Sequence, residues 1–291
     1  MNRNLEVFTK IYKPYKIERN NNVYILNTMD GNYVIKLNPK IDYNKLYKYL
    51  DSRSFNYVPR IFPDSKDDMV VFEYIEDTMV DKNQKILDLI NLVSLLHSKT
   101  FYYKEISNSK YENLYNDIKN NILFIDNYYD NLFMEYINHE VNSPSEYLFL
   151  RNYTLIYNAC KYSLDKLDTW YLKVQNSNKQ RVVLVHNNLR LDHMIKNSDE
   201  YLISWDQYTY DSLVLDLINL YKNEWENVSF IGVIDTYNRN FELLDEEKLL
   251  FNILFSIPYK VNLDSSEFDR CKEFRRLINY LGKASSIVID I

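Results

Sequence analysis

The sequence is poor in cysteine and glycine and has no long apolar run. Its 291 residues include two cysteines, Cys160 and Cys271, too few for a disulfide-dense secreted domain. The longest apolar stretches, such as 182–185 and 69–72, are far too short to span a bilayer. Residues 1–10 carry neither an apolar signal core nor a small-residue cleavage site. We therefore expect a cytoplasmic protein with no membrane partner.

The chain also has no excess of basic residues. The chain has 35 basic and 41 acidic residues and a net charge of −6, which disfavours a general nucleic-acid surface. Its 28 tyrosines are not interleaved with clustered arginine and lysine, as stacking on bases would require. The hydrophobic fraction of 46% is sufficient for a substantial core. The sequence thus predicts a folded protein without a nucleic-acid partner.

Alternating apolar residues dominate the first eighty positions and predict strands. Residues 15–18 and 23–26 flank a polar turn and form a hairpin signal, and a turn at Asp30-Gly31 leads into 32–37. Leu46 and Leu50 indicate a short helix. Two further strands are predicted around 60–62 and 69–74. Together these elements predict an antiparallel sheet.

After Thr78 the apolar period becomes helical. One helix is predicted by Ile86, Leu89, Ile90, Val93 and Leu96, which lie three and four residues apart. Further helices are predicted over 109–142 and 145–175, short strands over 182–185 and 200–205, and mainly helices from Leu213 onward. The expected fold is α+β, with a β-rich lobe over 1–77 and a helical lobe over 78–291 that contains a hairpin at 182–206.

Five segments with distinctive side chains follow one another along the chain. They are Tyr33-Val34-Ile35-Lys36, Phe72-Glu73-Tyr74-Ile75-Glu76-Asp77, Leu95-Leu96-His97-Ser98, the polar hairpin at 186–206, and Asp211-Ser212-Leu213-Val214-Leu215-Asp216-Leu217. In this order the chain resembles the protein-kinase-like fold in its aminoglycoside phosphotransferase and choline kinase branch. Within that branch it is most similar to the spore-coat kinase-like group. The resemblance covers residues 15 to 225. It implies a bilobal fold with a small antiparallel N-lobe and a larger, mainly helical C-lobe.

The resemblance implies a site for ATP and magnesium between the lobes. Lys36 would reach the α and β phosphates, and the hinge residues Glu73, Tyr74 and Ile75 would contact adenine through their backbone. His186 would be structural and would support the catalytic loop.

The positions that carry the chemistry in this branch hold other residue types here. Asn188 stands at the base position, and an amide cannot accept a proton from a substrate hydroxyl at neutral pH. His193 and Ser204 stand at the two metal positions, where a nitrogen ligand and a neutral hydroxyl suit magnesium poorly. Asp206, after the aromatic residue, matches an acid that could retain one cation. The resemblance therefore implies a degenerate site.

Two features of the N-lobe also depart from the family pattern. Between Leu37 and Tyr57 there is no glutamate to pair with Lys36, and Asp51 would have to substitute for it. The turn that should cover the phosphates, 19–22, contains no glycine, which hinders close backbone approach. Asp216, by contrast, matches a structural aspartate that holds the catalytic-loop backbone.

The resulting hypothesis is a pseudokinase that acts as a scaffold or binding module for a protein partner, with little or no phosphotransfer and no certain cofactor. One alternative is an active kinase, for a small molecule or a protein, with metal ligands relocated to Asp192 or Asp206 beside Lys36. Another is a structural component of the spore-coat type, which would make the protein spore-associated. A zinc site at His186 and His193 is a further alternative.

Overall fold

The smaller lobe is built on a four-stranded antiparallel sheet. The computed structural model describes residues 3–65, 68–107 and 109–288, so the remaining residues of the predicted lobes 1–77 and 78–291 lie outside the described residues. The strands are adjacent in the order β1-β2-β3-β4. The elements of this lobe are α1 (Arg3–Tyr12), β1 (Lys16–Asn20), β2 (Val23–Thr28), β3 (Gly31–Leu37), α2 (Tyr43–Ser52) and β4 (Met69–Glu73).

The two faces of β3 have different surroundings because successive side chains of a strand point to opposite sides. Ile35 and Leu37 are buried against Leu5 and Phe8 of α1. Lys36, on the other face, is directed toward the helical lobe. This alternation, which the sequence predicts, is what places a lysine in the cleft between the lobes.

Two predictions for this lobe are wrong. Residues 3–12, expected to belong to a region of strands, form α1, which covers the outer face of the sheet. Residues 60–62 form no strand; a single β-bridge joins Ile61 to Phe72. Pro59 and Pro63 flank this segment, and because proline has no backbone N–H the ladder cannot extend through either of them.

The larger lobe is mainly helical, as predicted. Its long helices have identifiable starts: the Asp81 side chain accepts from the N–H groups of Asn83 and Gln84 at 2.9 and 3.3 Å, and Ser143 and Glu146 form a capping box around the first helical residue, Pro144. The helices are α3 (Lys82–Thr100), α4 (Ser109–Tyr136), α5 (Pro144–Val174), α6 (Val214–Glu224), α7 (Val233–Asn240), α8 (Asp245–Ser256) and α9 (Glu267–Ser285).

Short strands in this lobe frame the polar hairpin. They are β5 (Tyr102–Glu105), β6 (Lys179–Val185), β7 (Met194–Lys196), β8 (Glu200–Leu202) and β9 (Thr209–Asp211). β6 lies between β5 and β9, while β7 pairs with β8. The strand predicted over 200–205 ends at Leu202, and a single 3-10 turn follows at Trp205–Gln207.

The predicted fold class is confirmed, since a small antiparallel sheet lobe is joined to a larger helical lobe. Among the described residues, no helix is both long enough and apolar enough to cross a lipid bilayer.

Candidate functional site: the cleft between the lobes

A buried carboxylate organises the loop that follows β6. Asp216, on the first turn of α6, is fully buried. It accepts hydrogen bonds from the backbone N–H groups of His186 at 2.8 Å and Asn187 at 2.6 Å. Asn187 has a φ of 58°, in the left-handed region that asparagine adopts more readily than most residues. Asp216 therefore fixes the backbone at the point where the chain leaves the strand.

The end of helix α3 completes this network. His97 is fully buried, and its Nε2 lies 3.1 Å from the Asp216 carboxylate, while its Nδ1 lies 2.8 Å from the Tyr237 hydroxyl. A carboxylate can only accept, so Nε2 carries the hydrogen, and in the neutral ring Nδ1 accepts from Tyr237. The network joins α3, α6 and α7 to the loop.

Helix α6 holds the rest of the loop with three polar side chains. Asn219 donates to the Asn187 side chain at 2.9 Å, Asn223 donates to the Leu189 carbonyl at 2.9 Å, and Glu224 accepts from the Leu191 N–H at 2.9 Å. Sequence reasoning missed these contacts. The sequence feature that could have indicated these contacts is the spacing of the polar residues on a helix that is otherwise buried, because an unpaired polar group would be costly there.

His186 is placed as a structural residue. It is fully buried, its Nε2 donates to the Ile203 carbonyl at 2.8 Å, and its ring lies 4.7 Å from that of Trp205. Burial lowers the pKa of His186, because the charged ring would lose its hydration. A neutral imidazole thus joins the start of the loop to the end of the hairpin.

His193 also stabilises the loop through a backbone contact. Its Nδ1 donates to the Asn188 carbonyl at 2.6 Å, and its own carbonyl accepts from the Ile203 N–H at 3.0 Å. The ring is half-buried. No three His, Cys, Asp or Glu side chains among the described residues come together as a metal site. The zinc alternative at His186 and His193 therefore gains no support from the geometry.

The lysine of β3 contacts an acid that the active-kinase alternative placed beside it, and a tyrosine that the sequence did not indicate. Lys36 forms an ion pair with Asp206, and its Nζ lies 3.2 Å from the Tyr43 hydroxyl. The same hydroxyl lies 3.2 Å from Asp206 Oδ1, so the three groups bond one another. Burial and the neighbouring Asp206 raise the pKa of Tyr43, which keeps its hydroxyl protonated. Asp51, the acid named as a substitute for the missing helix glutamate, is exposed at the end of α2.

Between the lobes, behind this cluster, lies a cavity of about 240 Å³. Its walls are mostly apolar, and three of the predicted hinge residues border it. The lining comprises Val23, Ile25, Val34, Lys36, Tyr43, Tyr47, Pro59, Phe72, Glu73, Tyr74, Ile75, Ile195, Ile203 and Ser204. The structure therefore brings Lys36, Ser204 and the hinge together around one space, while Asn188, His193 and Asp206 lie outside this lining. The volume is slightly below the range of about 300 to 1,000 Å³ that is usual for ligand pockets.

The segment after the hinge is tied to the helical lobe. The Thr78 N–H donates to the Lys196 carbonyl at 2.7 Å, and Asp77 accepts from the Lys196 N–H at 2.9 Å. The Asn197 side chain donates to the Glu76 carbonyl at 3.0 Å. These contacts fix the β7–β8 hairpin against the link between the lobes.

The oxygen ligands of this cleft do not fit magnesium well. Magnesium is usually held by one or two carboxylates and phosphate oxygens in octahedral geometry. Ser204 offers a hydroxyl, Asn188 an amide, and the Asp206 carboxylate is engaged by Lys36 and Tyr43. Asp192 is exposed and pairs with Arg190 at 3.0 Å. Binding of a magnesium–nucleotide complex would require the Lys36–Asp206 ion pair to break. Asp206 would then supply one carboxylate ligand to the metal.

The arrangement defines the class of fold. A strand lysine faces a hairpin whose loop is held by a buried aspartate, across a cleft between a small sheet lobe and a larger helical lobe, as in protein-kinase-like folds. No protein-family model matches the sequence, and no curated protein matches it in sequence.

Solved structures share this fold. The chain is 10% identical to an aminoglycoside phosphotransferase from Alicyclobacillus acidocaldarius and matches its crystal structure with a TM-score of 0.67, over 94% of this chain and 91% of that one. It is 13% identical to the AMP-bound spectinomycin phosphotransferase, with a TM-score of 0.55 over 97% and 98% of the two chains. The same enzyme with ADP and spectinomycin gives 0.54 at 13% identity, over 98% of each chain. At these identities the likeness shows the fold alone.

Tyr43 is the residue of this cleft that sequence reasoning missed. We expect Tyr43→Phe to lower the free energy of unfolding by about 1 kcal/mol, because removal of the buried hydroxyl leaves Lys36 and Asp206 each with one hydrogen-bond partner fewer. Urea denaturation followed by tryptophan fluorescence measures this. Tyr147→Phe, at a tyrosine that is 62% exposed, is the matched control and should leave the midpoint unchanged. Equal midpoints for the two variants would show that the hydroxyl contributes nothing.

Proposed function

We propose that the protein is a kinase-fold binding module with little or no phosphotransfer, and that its ligand is a protein partner. The observation that carries this proposal is the closed Lys36–Tyr43–Asp206 cluster, in which the cation and the carboxylate of the cleft neutralise each other. In an active kinase the lysine serves the phosphates and the carboxylate serves the metal. Here each is already bonded to the other.

The losses around the cluster act on a single chemical step. A general base contributes roughly 10²–10⁴ in rate, and the amide of Asn188 cannot supply it. Ser204 removes the carboxylate that would bridge a metal to the phosphates. Such effects are not additive, because the groups act as a unit. The loop itself is nonetheless well built, with Asp216 and α6 satisfying its polar groups. A loop that keeps its structure although its catalytic side chains are replaced is typical of a protein that binds rather than catalyses.

Titration with ATP tests this proposal. In about 5 mM ATP, a site with a Kd of about 1 mM would gain about 1 kcal/mol, or about 2 °C in melting temperature for a chain of this size. We expect a rise no larger than this, with no further increase when magnesium or manganese is added. Lys36→Met, with its uncharged side chain, should behave like the wild type in ATP. A rise of several degrees that depends on magnesium would overturn the proposal.

The position of Asp206 favours one second candidate, an active kinase with a relocated metal ligand. This carboxylate lies beside Lys36, where a phosphate-bound cation would be useful. If that function holds, phosphate transfer from ATP survives in Asn188→Ala and disappears in Asp206→Ala. Absence of transfer in the wild type, with protein substrates and with small hydroxyl compounds, supports the binding module instead.

A further inference from the structure

A second and larger cavity lies inside the helical lobe, away from the cleft. Its volume is about 680 Å³, within the range of about 300 to 1,000 Å³ that is usual for ligand pockets. It is enclosed by the start of α4, the end of α5, the start of β6 and helix α8. No residue of 186–206 belongs to its lining, so a molecule bound there would not contact the loop of Asn188.

The floor of this cavity is aromatic. Trp170 and Tyr111 are both buried and pack edge to face, with ring centroids 5.8 Å apart and an angle of 82° between the ring planes. Leu250, also buried, and the half-buried Leu215 continue the apolar wall. Trp170 is only 1% exposed, so a bound molecule would meet the leucines and the edge of Tyr111, which the tryptophan holds in place.

The strongest charges of the lining neutralise each other. Arg181 binds Glu247 through two nitrogens, donates to the Glu242 carbonyl at 2.8 Å, and lies over the Phe241 ring. Glu247 also accepts from the Leu244 N–H at 2.8 Å. Both groups are therefore committed to the wall, and neither is free to bind a ligand.

Two other charged groups of the wall are likewise engaged. Lys110 donates to the Gln180 side chain, and Asp211 accepts from the Ser212 N–H at 2.7 Å. Asp117 and Lys179, at the rim, are exposed and well hydrated, so they contribute little to binding.

Glu246 is the exception. It is half-buried, and its carboxylate forms no hydrogen bond or ion pair with any residue that the structure describes. Glu246 and Tyr111 both line the cavity. Burial, and after it the carboxylates of Glu246 and Glu247, raises the pKa of Tyr111 to about 12. An unpaired carboxylate beside an apolar pocket favours a ligand that brings its own positive charge.

We propose that this cavity binds a small aromatic amine, with its ring against Leu215 and the exposed edge of Tyr111 and its ammonium group on Glu246. The site is independent of the cleft and of the function proposed above.

Fluorine NMR on protein labelled with fluorotryptophan tests this site directly. The chain has three tryptophans: Trp170 borders the cavity, Trp205 is buried against His186 directly after the cleft residue Ser204, and Trp225 lies elsewhere. Single Trp→Phe variants assign the signals. Phenethylamine should shift the Trp170 signal and leave those of Trp205 and Trp225 in place. ATP, if it binds the cleft, would act on Trp205, so the two proposals can fail separately.

Matched probes and variants decide between the proposed site and general hydrophobic binding. Phenethyl alcohol should bind several-fold more weakly than phenethylamine, and hydrocinnamate should not bind. Glu246→Gln should raise the Kd for phenethylamine about tenfold, whereas Glu242→Gln, an exposed acid nearby, should leave it unchanged. Leu215→Phe, which narrows the cavity, should also weaken binding. The proposal is overturned if about 10 mM phenethylamine leaves the Trp170 signal unmoved, if hydrocinnamate binds equally well, or if Glu246→Gln and Glu242→Gln behave alike.

Discussion

Asp216→Ala should lower the free energy of unfolding by about 4 kcal/mol, the largest stability effect that we expect from any single substitution in or around the loop that follows β6. The substitution leaves the backbone N–H groups of His186 and Asn187 without their acceptor in a fully buried place. Each buried donor that loses its partner costs about 1–3 kcal/mol. His97 loses its acceptor as well. Urea denaturation of wild type and variant gives the difference in free energy.

Two further variants show whether the loss comes from the carboxylate itself. Asp216→Asn keeps one acceptor oxygen but brings an NH₂ group toward buried donors, so its cost should fall between those of the wild type and Asp216→Ala. Asp192→Ala removes an aspartate that belongs to the loop itself and is exposed and paired with an exposed arginine. Its effect should stay below about 0.5 kcal/mol. If Asp216→Ala were as mild as Asp192→Ala, the buried network would not hold the loop.

The fold was predictable where the apolar period was long and regular. The prediction of helices over 109–142 and 145–175 is close to the observed α4 and α5, because each presents a continuous buried stripe. Residues 3–12 also carry such a stripe, with Leu5 and Phe8 buried, but the neighbouring strand signals obscured it. The short strands β5 and β9 were missed since a strand of three or four residues has too few positions to show a period, and its pairing partner lies far along the chain.

The site was predictable only in part, for a related reason. Motif order placed Lys36 and the hinge residues, which border one cavity in the structure. The partner of Lys36 was sought on the next helix as a carboxylate, yet its carboxylate partner is Asp206, 170 positions later in the sequence. No local pattern encodes that contact. Tyr43 is nearer to Lys36 in the sequence, but nothing distinguishes it among the 28 tyrosines before the fold is known.

The backbone at the two altered positions can accept the residues that an active site would need. Ser204 has a φ of 67° and a ψ of 45°, a left-handed conformation in which aspartate and asparagine are among the best tolerated side chains. At Asn188, aspartate has the same shape, and the contact of the loop with His193 runs through the Asn188 carbonyl, which the substitution retains. Neither change should therefore disturb the hairpin.

Asn188→Asp combined with Ser204→Asp should create magnesium-dependent nucleotide binding. The new carboxylate at 204 would supply the oxygen ligand that the wild type lacks, and the one at 188 would supply a base. We expect magnesium to tighten ATP binding at least tenfold in the double variant, seen as a rise of about 2 °C or more in melting temperature.

Catalysis is the more demanding outcome of the same substitutions. If transfer to a hydroxyl acceptor becomes detectable, the Ser204→Asp single variant, which keeps the asparagine at 188, should bind magnesium–ATP but transfer phosphate roughly 10²–10⁴ times more slowly, the contribution of a general base. This comparison separates binding from chemistry. A double variant whose ATP affinity stays independent of magnesium would place the defect outside positions 188 and 204. The Lys36–Asp206 pair between the lobes and the glycine-free turn at 19–22 would then be the cause, because both keep phosphates from reaching the lysine.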